Sequence, residues 1–281
     1  MISVKDLRFS YTQKPFIEGM AFDVARGEIF GFLGPSGAGK STLQKILTGL
    51  IKSYSGIVTV NGEQVCRHGS QFHEHIGVDF EFPSLYEKLT ARENLKFFGS
   101  LYKKQRDADA LLKSVGLLGE ADKKVADYSK GMKTRLNFIK ALLHDPAILF
   151  LDEPTSGLDP SNARVMKDII LEEKAKGKTI ILTTHNMYDA TELCGRVAFI
   201  VDGRLRALDT PRNLIMSKGA AKIEYTYTKG GKEVTAHTPL DKTGEDTFLQ
   251  TLIKQNALLS IHSSEPTLND IFMEITGRRL Q

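Results

Sequence analysis

Gly34-Pro35-Ser36-Gly37-Ala38-Gly39-Lys40-Ser41 has the residue types and order of a loop that wraps a chain of phosphates. Its glycines let backbone N–H groups turn inward on the phosphates at a helix start. Lys40 can reach the β- and γ-phosphates, and the Ser41 hydroxyl can ligate Mg²⁺. Far downstream, Asp152 closes the apolar run Ile148-Leu149-Phe150-Leu151. A carboxylate there is costly unless paired or metal-bound, and a Mg²⁺ ligand meets that need. Glu153 comes next and, by strand alternation, is expected to point away from Asp152; it is the candidate to polarise an attacking water. His185 follows an apolar strand ending in Thr183-Thr184, where an imidazole can bond the γ-phosphate and that water.

A second phosphate-facing arrangement lies at Tyr128-Ser129-Lys130-Gly131-Met132, where Ser129 and Gly131 open a helix. Taken alone, Ser129 is a helix cap. Since one γ-phosphate cradle is already present, a second makes sense if it serves the ATP of another copy. Tyr11 is expected at the end of an early strand, either stacking on adenine or simply packing. Of the other histidines, His73 and His75 are expected on the surface.

The elements that must position these groups are legible in the patterning. Ile2 and Val4, then Leu7, Phe9 and Tyr11, then Met20, Phe22 and Val24 alternate as antiparallel strands with one buried face. Ile29–Leu33 is continuously apolar, as in a strand buried on both faces, and feeds the glycine loop and a helix over Lys40–Leu50. Val58 and Val60 end at Asn61-Gly62, a hairpin signal. From 83 to 144 the period turns helical, with a capping box at Thr90 and Glu93. Strands over Ala147–Leu151 and Thr179–Leu182 flank a helix over Ser161–Lys176, a βαβ unit. Past Pro211, Ile223, Tyr225 and Tyr227 alternate with polar residues, Lys229-Gly230-Gly231-Lys232 turns, and Thr267 with Asp270 resembles another capping box. The expected division is 1–215, with a helical insertion at 83–144, and an accessory α+β domain at 216–281.

The 281 residues are 41% hydrophobic and 26% charged with net charge +4, ordinary for a globular protein and too mild a basic excess to argue for nucleic acid. No run approaches the roughly 18 apolar residues of a membrane span. Met1–Asp6 carries charge where a signal peptide needs an apolar core, and Cys66 and Cys194 read as reduced thiols. The expectation is a cytoplasmic chain whose membrane role, if any, needs a partner.

At these motifs the sequence resembles the ATP-binding cassette family, the ATP-hydrolysing subunits of ABC transporters. Tyr128-Ser129-Lys130-Gly131-Met132, followed by Lys133-Thr134-Arg135-Leu136, is similar to the signature of an exporter-type branch that includes drug and antibiotic efflux systems; Pro266-Thr267-Leu268-Asn269-Asp270-Ile271-Phe272 is similar to the end of that branch's C-terminal extension. The resemblance implies an α/β fold: a P-loop core of parallel sheet plus antiparallel β-subdomain, an inserted helical subdomain and a small C-terminal α+β domain. It implies ATP and Mg²⁺ held by Gly34 to Lys40 (Gly34, Pro35, Ser36, Gly37, Ala38, Gly39, Lys40) with Ser41, Thr42, Glu81, Asp152 and Asp159. It also implies a dimer, with itself or a close paralogue, whose second copy supplies Ser129, Lys130, Gly131 and Met132. An integral membrane permease completes the assembly, and the chain then sits on the cytoplasmic face of the cell membrane. Two positions depart from the family pattern: Glu81 stands where Gln is usual, adding charge beside phosphate, and Lys130 replaces a Gly. A soluble ABC ATPase acting on ribosomes or DNA, and a nonhydrolytic nucleotide-dependent regulator, are the alternatives; intact Glu153 and His185 favour an active ATPase.

Overall fold

The computed structural model describes residues 1–218, 222–264 and 266–277. The first unit, Met1–Asp209, opens with strands β1 (Ile2–Phe9), β2 (Ile17–Val24) and β3 (Ile29–Leu33), then helix α1 (Lys40–Leu47), β4 (Ser55–Val60) and the short β5 (Glu63–Gln64). Strand β6 (Ile76–Asp79) leads into α2 (Ala91–Gly99), α3 (Ala108–Ser114) and α4 (Lys130–Leu142). The unit closes with β7 (Ile148–Asp152), α5 (Pro160–Ala175), β8 (Thr179–Thr184), α6 (Met187–Leu193), β9 (Arg196–Val201) and β10 (Arg204–Asp209). A second unit begins at Thr210 and holds α7 (Pro211–Lys218), β11 (Lys222–Lys229), β12 (Lys232–Pro239), α8 (Thr247–Lys254), β13 (Leu258–Ser264) and α9 (Leu268–Thr276). A boundary at 215/216 would cut α7, which lies whole within this second unit.

Strand order β10-β9-β3-β8-β7-β6 forms the central sheet, parallel except for β10. Strands β3, β7 and β8 are buried at every residue, which is why their sequences run apolar instead of alternating. The register aligns the strand ends: Leu33 pairs with Thr184, and Asp152 with Thr183. Three segments far apart in sequence thus reach one sheet edge together. An antiparallel sheet β2-β1-β4-β5 packs into the same core through Leu7, Ile17, Met20 and Val60. In the second unit, β12-β11-β13 covers α8, with Tyr225, Tyr227, Leu249 and Leu252 at its centre.

The local signals hold where they are short-range. Thr90 and Glu93 form a reciprocal capping box, as do Thr267 and Asp270. Asn61 and Gly62 both take positive φ, 53° and 84°, in the β4–β5 hairpin. Two expectations need correction. Tyr11 does not end a strand: β1 stops at Phe9, whose carbonyl accepts the Phe16 N–H at 2.9 Å and closes a loop that holds Tyr11 60% exposed. α1 stops at Leu47, because Gly49 at φ 78° turns the chain out of the helix. Ile76–Asp79, ahead of Glu81, forms the edge strand β6, pairing with β7.

Candidate active site

Where β3 ends, the chain must turn sharply against its neighbours. A side chain at Gly34 would put its Cβ 2.1 Å from the Ile200 carbonyl oxygen, so only glycine fits. Gly39 sits at φ 109° and opens α1 with no side-chain cap. The first N–H groups of α1 are thereby left free of an internal side-chain partner, the arrangement that suits an anion. Lys40 lies within this loop, its ammonium donating to the carbonyls of Gly34 at 2.6 Å and Pro35 at 3.1 Å. Burial draws the Lys40 ammonium below its ordinary pKa, while Glu153, Asp152 and Glu81 pull the other way.

A cleft of about 250 Å³ opens at this edge, lined by Phe16, Ser36, Gly37, Gly39, Lys40, Ser41, Thr42, Glu81, Asp152, Glu153, Ser156 and His185. The sheet register therefore brings together the glycine loop, both acids and the histidine that the sequence marks. Asp152, the last residue of β7, is 6% exposed and accepts from the Thr183 hydroxyl. Glu153 does not point away by strand alternation, as the sequence suggests; it lies beyond β7 at φ 51°, and both acids face the one cleft. A non-glycine residue at positive φ is uncommon and must be held by its surroundings. Here the holders are three donors from the end of β8. The Thr184 hydroxyl reaches Glu153 Oε2 at 3.1 Å, and the His185 N–H and Nδ1 reach Oε1 at 2.9 and 2.7 Å. His185 is half exposed, so its outer ring edge remains free to face substrate.

The donor chemistry fits a hard divalent cation with a polyphosphate. Ser41 offers a hydroxyl, and Asp152 and Glu81 offer carboxylates, all oxygen ligands of the kind Mg²⁺ takes. The positive-φ glycines leave the backbone bare on the cleft side: a Cβ at Gly37 would meet nothing within 4 Å. The arrangement can grip phosphates through N–H groups and Lys40, and orient a water on Glu153.

Tyr11, Asp159 and the Ser129 segment stand elsewhere. Tyr11 donates to or accepts from the Thr42 hydroxyl at 2.9 Å and packs edge-on against Phe16. Asp159 caps α5, accepting from the N–H groups of Ser161 and Asn162 at 3.1 Å. Ser129 caps α4 through Met132 N–H at 3.2 Å, and Gly131 and Lys130 pack beside Leu158 and Gly157. Lys130 lines a smaller cavity of about 100 Å³ that also meets Glu81, Asp152 and Glu153. Sequence reading missed Phe16 and the two threonines Thr183 and Thr184 as partners of the acids. It also missed buried Asp79, whose carboxyl burial pushes up to about 8 against the pull of Lys140 and Asn137. The same burial brings the Lys140 ammonium down to about 8. No spacing rule marks Phe16; the threonines were visible as polar residues ending an apolar strand.

The sequence model of the ABC transporter family matches residues 17–156. The fluoroquinolones export ATP-binding protein of Mycobacterium tuberculosis (strain CDC 1551 / Oshkosh) is 50% identical over 285 residues, covering 100% of this chain and 94% of that protein. The Nod factor export ATP-binding protein I of Rhizobium meliloti is 35% identical, covering 100% and 89%. A solved ATP-binding subunit of an ABC transporter superposes with TM-score 0.71 at 31% identity, covering 77% of this chain and 92% of the other. The chain belongs to the ABC transporter ATP-binding subunits, and its chemistry is ATP hydrolysis coupled to transport.

Proposed function

We propose that this subunit drives export of a drug-like small molecule from the cytoplasmic face of the membrane through an integral membrane permease. The full-length 50% identity to a fluoroquinolones export ATP-binding protein carries this reading. No described helix is long and apolar enough to cross a membrane, which fits a subunit that reaches the bilayer through a partner. In the test, cells carrying Glu153→Gln together with the native permease should accumulate a fluorescent fluoroquinolone as a deletion strain does. Accumulation unchanged from wild type across a panel of amphiphilic drugs overturns the drug-export reading.

In the proposed mechanism the loop from Gly34 to Thr42 holds the phosphates by backbone N–H groups, with Lys40 on the β- and γ-phosphates. Mg²⁺, bound with the nucleotide, neutralises phosphate charge; Ser41, Asp152 and Glu81 are the residues to hold it. Glu153 accepts a proton from the attacking water, and His185, tied to it at 2.7 Å, orients the acid and meets the γ-phosphate. Tyr11 lies against Phe16 at the cleft's rim, and this pair is assigned to the adenine.

The Ser129–Met132 segment serves the ATP of a second copy, with Asp159 at the same junction. The motivation is a helix start whose own cleft already holds a complete phosphate loop. Glu153→Gln protein should therefore dimerise on adding ATP, and Ser129→Arg should abolish that dimer without unfolding the monomer. Light scattering that shows a monomer throughout refutes the arrangement.

The permease docks beside the segment following Glu81. Phe82 is 79% and Tyr86 49% exposed, and Tyr86 packs edge-on against Phe97, itself 42% exposed, so the segment presents aromatic surface to solvent. Leu85, in contrast, is half-buried. Tyr86→Ala should cut permease-stimulated ATPase and transport while leaving the isolated subunit within about twofold, because surface substitutions rarely cost much. Collapse of basal hydrolysis or of the melting temperature would mark these residues as packing alone.

A further inference from the structure

The segment that carries Glu81 is fastened to α4 by side chains. Asn137 Nδ2 donates to the Asp79 carboxyl and, at 3.2 Å, to the Phe80 carbonyl. Lys140, one turn further along α4, donates to the Ser84 carbonyl at 3.0 Å. The Phe80 carbonyl belongs to the peptide that bears the Glu81 nitrogen, so the Asn137 bond sets the plane from which Glu81 departs.

Asn137 holds this post at a cost in stability. It is 2% and Asp79 3% exposed, and Asn137 Oδ1 is buried with no hydrogen-bond partner among the described residues. An orphaned acceptor of this kind gives up its hydrogen bonds to water and gains none in the fold. On the same face of α4, three and four residues away, lie Thr134, Lys140 and Ala141, and Asn137 borders the cavity that Glu81, Asp152 and Glu153 line. What the amide at 137 adds to this face is its two donated bonds, to β6 and to the Glu81 peptide.

We infer that Asn137 is a positioning residue that converts the seating of α4 into the placement of Glu81. α4 begins at the Ser129 segment, eight residues or about 12 Å of rigid helix before Asn137. When that segment engages the nucleotide of a second copy, a shift of α4 carries the Phe80–Glu81 peptide with it. Each copy's Mg²⁺-nucleotide contact then registers whether its signature end is engaged. The inference rests on the proposed reading of Glu81 as a Mg²⁺-nucleotide contact.

The test reads binding as well as turnover. The full-length protein is titrated with a fluorescent, non-hydrolysable ATP analogue with and without Mg²⁺, and the ratio of the two affinities gives the Mg²⁺ enhancement. Glu81→Ala should lower that enhancement about tenfold and Asn137→Leu about fivefold, shifts of the size one lost charge-assisted contact gives. The double variant should fall no lower than Glu81→Ala alone, because Asn137 acts through Glu81. The Mg²⁺-free affinity of Asn137→Leu should stay within about twofold of wild type while its Mg²⁺ enhancement falls, which separates positioning from folding. If Glu81→Ala leaves the enhancement intact, both the Glu81 reading and this inference fall. If Glu81→Ala lowers it but Asn137→Leu does not, or the two effects multiply, the inference alone is overturned.

Discussion

Glu153→Gln is expected to bind ATP as wild type does and to hydrolyse it about 10²–10⁴-fold more slowly, the range for loss of one positioned base. The carboxamide is nearly the same shape, and its oxygen can still accept from the His185 N–H, which holds Glu153 at 2.9 Å. Lys40 and the glycine loop are untouched, so nucleotide affinity should persist. What disappears is a group able to take a proton from water. The site geometry makes the expectation sharp. Glu153 is the acid held at positive φ and gripped by three donors, whereas Asp152 is tied to Thr183 at the end of β7. Steady-state phosphate release set beside equilibrium ATP binding checks it. Turnover within threefold of wild type would remove Glu153 from the role of base.

The largest effect on stability is expected away from the cleft. Glu173, at the end of α5, is 1% exposed and ion-paired to Arg106 at 2.9 Å, Lys176 at 2.7 Å and Lys178 at 2.9 Å. Lys178 is itself 8% exposed and also bonds Asp145, which in turn holds Lys104. The cluster ties the segment before α3 to the sheet core. Glu173→Ala leaves Lys178 buried with one anion fewer, and removing one partner of a buried pair costs about 3–5 kcal/mol. For a unit of this size that lowers the melting temperature by on the order of 10 °C. A loss below about 1 kcal/mol in calorimetry would show that the cluster is solvated and dispensable.

The same cluster sets an acid limit. Burial pushes the Glu173 carboxyl up, but hydrogen bonds from Lys176 and Lys178 and the nearby Arg106 outweigh it and hold its pKa below the ordinary value. Asp145 is held well below its ordinary value by hydrogen bonds from Lys104 and Lys178. A depressed carboxylate stabilises the fold at pH above its unfolded pKa, about 4, and that contribution is lost as pH falls through the folded value. Wild-type stability should accordingly drop below about pH 4, and Glu173→Ala should flatten part of that drop.

The sequence by itself determined the parts of this protein that depend on near neighbours. The glycine loop with Lys40 and Ser41, the capping boxes at Thr90 and Thr267, the Asn61-Gly62 hairpin and the alternation over 223–227 all follow from contacts a few residues long. The apolar runs at Ile29–Leu33 and Ile148–Leu151 fixed buried strands, and hence the sheet edge where Asp152, Glu153 and His185 must emerge. Tertiary structure alone decided the rest. Strand alternation turned Glu153 the wrong way, because its direction is set by Thr184 and His185, more than thirty positions on, which stabilise a backbone angle it would not otherwise adopt. β6 was unreadable as a strand because four residues ending in an acid carry no period; pairing with β7 makes it one. Phe16 entered the cleft, and Asn137 met Asp79, through chain separations that no local pattern encodes. Backbone preference and hydrophobic period act within a turn or two, whereas a side chain's aim at a site is the outcome of packing between distant segments.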